Sequence, residues 1–137
     1  MDKPNSTMAQ QIAQAASVFE QQRTGNTPKS VTVVLSDTTL VITLHGALSP
    51  AEQALTKTPT GAAQVRDFHR ELFASASDAL RKEIKRITGV EVREATAEIE
   101  PTTGTVVAVF TTGTVVHVYL LAQSISEEAW NASGNDD

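Results

Sequence analysis

A chain of 137 residues has the length of one domain, and at that size folding buries roughly two thirds of the unfolded surface, enough for a core without covalent staples. With no cysteine, disulfides, thiolate nucleophiles and cysteine metal sites are excluded, and the composition fits a cytoplasmic protein. A net charge of −5, few aromatic residues and no long apolar run speak against nucleic-acid binding, a signal peptide and membrane insertion.

Residues 1–7 are polar and hold Pro4, which predicts a disordered start. From Met8 to Arg23 the positions Met8, Ile12, Ala15, Ala16 and Phe19 form a helical stripe, leaving Gln10, Gln11, Gln14, Glu20, Gln21 and Gln22 for water. Gly25 is the expected C-cap. Ser30 to Ser36 and Thr39 to His45 are β-branched and apolar runs around Ser36-Asp37-Thr38, the pattern of a hairpin with Leu40, Ile42 and Leu44 on one face. Ser49 as N-cap, Pro50 at the first helical position and Glu52 or Gln53 as capping-box partner start a short helix that Leu55 is expected to anchor.

The longest helical pattern follows, with cap signals at Thr60 and Gly61 and a span of about Ala62 to Thr88. Its stripe is Val65, Phe68, Leu72, Ala76, Leu80, Ile84 and Ile87, and Gly89 ends it. Arg66, Arg70, Arg81, Lys82, Lys85 and Arg86 are six of the chain's eleven cationic residues. Arg81, Lys82, Lys85 and Arg86 gather in the last turns, where they face the negative end of the helix dipole; if they converge on one exposed patch they suit an acidic partner. Val90 to Ile99, Thr105 to Thr111 and Thr114 to Ala122 read as strands, with a bulge expected near Arg93-Glu94. Ser124 or Ser126 caps a final turn of helix before an acidic tail.

The order helix, hairpin, two helices, meander is that of an α+β domain over residues 8–123: an antiparallel sheet of about five strands with two main helices on one face, followed by a short helix and tail over 124–137. The last strand is apolar on both parities, so the second face of the sheet needs cover, and a homodimer contacting through Val116 or Tyr119 supplies it.

The segment His45-Gly46-Ala47-Leu48-Ser49-Pro50-Ala51-Glu52-Gln53-Ala54-Leu55, the Gly61 that opens the long helix, and Ile84-Lys85-Arg86-Ile87-Thr88-Gly89-Val90-Glu91-Val92 together resemble the MpsC family. That resemblance covers about Met8 to Phe110. It implies a soluble component of a bacterial cation-translocating system that generates membrane potential and supports inorganic-carbon uptake, with possible protein partners in a membrane complex. Two features depart from the pattern: the basic pair Lys85-Arg86 in the last helical turn, and an added strand beyond Phe110.

Catalytic constellations are missing from the sequence. His45, His69 and His117 lie in three elements without HxxxH or HxH spacing, and no GxSxG, SxxK or Walker loop occurs, so neither catalytic nor metal nor cofactor residues are assigned. Glu94, Glu98 and Glu100 share a strand parity, a pattern that more often guards a sheet edge than binds cations. Two functions remain: a non-catalytic accessory or interaction domain, or a small-ligand-binding or enzymatic domain with a pocket between the sheet and the helix at 50–58, ringed by His45 and Glu52.

Overall fold

The computed structural model describes residues 6–98 and 114–132; the expectations for 1–5, for a strand at 105–111, for Glu100 and for the tail from 133, and those for the side chains of Ala76 and Glu98, lie outside the described residues. Helix α1 (Met8–Thr24) is followed by strands β1 (Ser30–Ser36) and β2 (Thr39–His45), helices α2 (Pro50–Leu55) and α3 (Pro59–Thr88), strands β3 (Val92–Glu98) and β4 (Val115–Leu121), and helix α4 (Glu127–Asn131). The four described strands form one antiparallel sheet in the order β1-β2-β4-β3. This is the expected α+β class, with four described strands in place of about five.

Local chemistry sets the boundaries. The β1-β2 loop is Asp37-Thr38, and Asp37 takes φ 55°, a left-handed conformation that aspartate tolerates better than most non-glycine residues. Ser49 Oγ accepts from the Glu52 amide while Glu52 Oε1 accepts from the Ser49 amide, a complete capping box. Helix α3 starts earlier than its sequence suggests. Thr58, rather than Thr60 or Gly61, is its N-cap, and Pro59 occupies the first turn, where its missing N–H costs nothing.

Gly61 matters for packing and not as a cap. A Cβ there would lie 2.0 Å from the Leu55 carbonyl oxygen, so glycine permits α2 to fold back against the start of α3. The bulge between Val92 and Glu94 is present, and it explains the broken alternation of β3. With one extra residue inserted, Val92 opposite Leu121 and Ala95 opposite Tyr119 both face the helices.

Register sorts the sheet into two faces. Val31, Val33 and Leu35 lie opposite Leu44, Ile42 and Leu40, which lie opposite Val115, His117 and Tyr119, and this face packs on α1 and α3 through Ile12, Ala16, Val65, Leu80 and Ile84. The other face carries Thr32, Val34, Val41, Thr43, Val116, Val118 and Leu120, and no described helix packs on it.

The stripe of α3 holds where expected at Val65, Leu80 and Ile84, with Ile87 partly buried against the core, and departs from expectation in between. Phe68 is 47% exposed and Leu72 half-buried, whereas His69 is buried and Phe73 packs against the core. Steps of four from Val65 lead through His69 to Phe73, so a histidine takes the buried place beside the exposed Phe68. Leu55 is 46% exposed and does not anchor α2.

Candidate functional site

The expected sites separate in space. His45 Nε2 lies 2.9 Å from Thr32 Oγ1 on the exposed side of the hairpin, far in bonding terms from Glu52, which meets His69. The groove beside α2 is lined by Thr24, Ser49, Glu52, Leu55, Val65 and Phe68, and so lies among α1, α2 and α3 instead of between α2 and the sheet. It has a volume of about 430 Å3 and contains the two exposed apolar side chains Leu55 and Phe68.

Most of the basic cluster of α3 is tied up locally. Arg81 donates to the Val92 carbonyl at 3.0 Å, Lys85 to Glu91 at 2.6 Å and Arg86 to Glu83 at 2.7 Å, while Lys82 stands exposed. These bonds fasten the helix end to its own neighbourhood. Tyr119 is fully buried between sheet and helices and cannot be a contact surface, whereas Val116, on the opposite parity, sits on the uncovered face.

The concentration of ionisable groups lies elsewhere, where α1, α2, α3 and β4 meet. Glu52 Oε2 is 2.8 Å from His69 Nε2, and His69 is 6% exposed. Burial pushes the Glu52 carboxyl up, but hydrogen bonds from His69 and from the Ser49 backbone, with the nearby His69 charge, outweigh it and hold the group below the usual range. From α1, Glu20 is 8% exposed, and its Oε2 is buried with no hydrogen-bond partner among the described residues. Desolvation raises its pKa, opposed by His69 and assisted by Glu52. The expectation that Glu20 faces water is therefore wrong.

On β4, His117 packs edge-on to Phe73 with ring centroids 4.8 Å apart, and burial lowers its pKa to about 4. It lies on the face of the sheet that packs against the helices and is half-buried. The Tyr119 hydroxyl lies 3.4 Å from His117 Nδ1, and burial pushes its pKa well up.

Both residues leave a signal in the sequence. Glu20 follows Ile12 and Ala16 at steps of four, and His69 stands four after Val65 and four before Phe73, so each is an ionisable side chain on an apolar stripe. No described group of three or more His, Asp or Glu side chains is arranged to hold a metal ion. The cluster is suited to holding a proton or a single polar ligand group.

Comparison with known proteins places this geometry in context. The profile of the family described as Na+-translocating membrane potential-generating system (MpsC) matches residues 5–114. "Uncharacterized protein YbcI" of Bacillus subtilis (strain 168) is 26% identical over 110 residues, covering 80% of this chain and 89% of that protein. No solved structure matches the chain.

Proposed function

The chain belongs to the MpsC family, and from that premise we propose that it is a non-catalytic accessory or interaction domain of a membrane-potential-generating system, working as a homodimer. The observation that carries this reading is the second face of the sheet. Val34, Val41 and Val118 form an unbroken apolar row across β1, β2 and β4, Val116 and Leu120 flank it, and Val34 is 52% exposed. An apolar face of this kind gains by being covered, at roughly 25 cal/mol for each Å2 removed from water. Among the described residues no helix is long and apolar enough to cross a membrane, which suits a component that acts on a membrane system through contacts.

The test is functional replacement. In cells deprived of this chain, reintroducing the parent protein should restore membrane potential, read with a voltage-sensitive dye, whereas a folded Val116→Glu variant should not. Full restoration by that variant contradicts the proposal.

A second reading, that of a small-ligand-binding or enzymatic domain, is favoured by the groove beside α2 and by Glu20 Oε2, which has no hydrogen-bond partner among the described residues. It differs from the first in requiring a saturable ligand.

A further inference from the structure

Between α1, α3 and β4 lies a cavity of about 30 Å3. A bound water occupies about 10–15 Å3 on the same scale, so the space takes about two non-hydrogen atoms. Its walls include the rings of Phe19, Phe73 and Tyr119, and the Glu20 side chain, whose Oε2 is buried without a partner, also lines it. A buried acceptor that lacks a donor is costly, and aromatic faces attract cations. Together they describe a receptor for a compact cation that brings its own N–H donors.

We propose that this cavity binds a small ammonium cation, ammonium itself or methylammonium, held by the Glu20 carboxylate and the aromatic walls. A metal ion fits less well, since it needs several ligands and the described residues contain no such group. The other ionisable groups around Glu20 act in both directions. Arg23, on α1, and His69, on α3, line the same cavity and oppose a cation, but Arg23 is exposed, so that water screens its charge, and His69 is engaged by Glu52 of α2, which contributes negative charge. From β4, His117 is uncharged at neutral pH and Tyr119 stays protonated.

Because burial raises the Glu20 pKa, protons compete with the cation for this carboxylate, and affinity should rise with pH as Glu20 ionises.

The experiment compares melting temperature against concentration for ammonium, methylammonium, sodium, potassium and tetramethylammonium chlorides at constant ionic strength. The expected result is a saturable rise with the first two alone, tetramethylammonium being too large, and at least a tenfold loss of apparent affinity in Glu20→Gln. That variant removes a buried charge and should fold. Should it fail to do so, Ser77→Leu, which fills the cavity from a half-buried position and leaves Glu20 in place, must abolish the response. Equal shifts with every salt, a response to sodium or potassium alone, no saturable shift at all, or an unchanged response in the variant overturns the proposal.

Discussion

The 2.8 Å contact between Glu52 Oε2 and His69 Nε2 fastens to α3 a six-residue helix that has no buried side chain of its own. One carboxylate closes the capping box of α2 with Oε1 and grips α3 with Oε2. Glu52→Ala removes both bonds and leaves His69 buried without that partner, so it should cost about 1–3 kcal/mol. Chemical denaturation measures the total, and faster hydrogen exchange at the Gln53 and Thr56 amides, which bond to Ser49 and Glu52 carbonyls, would localise the loss to α2.

Glu52 and Glu20 make opposite contributions to acid stability. The folded-state pKa of Glu52 is depressed, so its contribution is present above about 4.5 and is lost as pH falls through the lower folded value. That of Glu20 is raised, so folding is favoured while it is protonated, and the cost grows as pH climbs from 4.5 through the higher folded value. Denaturation midpoints of parent and Glu20→Gln, measured from pH 4 to pH 8, should diverge with the variant gaining as pH rises. A constant difference would mean that Glu20 titrates as it does in the unfolded chain.

Gly61→Ala should destabilise more than a helix-propensity scale suggests. Alanine is the better helix former, by about 1 kcal/mol, yet its Cβ would collide with the Leu55 carbonyl, which is backbone and cannot rotate away. Overpacking of this kind costs about 1–3 kcal/mol. A melting temperature above that of the parent would show that α2 yields freely.

Two substitutions on α3 report which of its stripe positions is buried. Ile84→Ala, at a fully buried position, should cost about 2–5 kcal/mol, and Phe68→Ala, at a half-exposed one, less than about 1 kcal/mol. A cost for Phe68→Ala as large as that for Ile84→Ala in urea denaturation would put Phe68 back in the buried stripe expected from the sequence.

Much of this fold is legible in the sequence because its local signals agree with one another. Ser49-Pro50 with Glu52, the alternation Leu40-Ile42-Leu44 and the Gly89 cap each name an element or a boundary, and the bulge near Arg93-Glu94 shows as a slip in parity. The centre of the candidate site is hidden for a specific reason. Amphipathic patterning assigns charged residues to water, whereas Glu20 is a carboxyl group on a buried stripe, and only packing brings it near His69, 49 positions away in sequence. The pairing of Glu52 with His69 instead of His45 likewise depends on α2 folding back over Gly61, a long-range consequence of one missing Cβ.

The most direct measurement is the solution mass by size-exclusion chromatography with light scattering at micromolar concentration. Tyr119 being buried, the proposed contact uses the face of Val34 and Val116. The unmodified protein should elute as a dimer, at twice the 14.6 kDa chain mass, and Val116→Glu should convert it to a folded monomer. A monomer for the unmodified protein contradicts self-association through the uncovered sheet face.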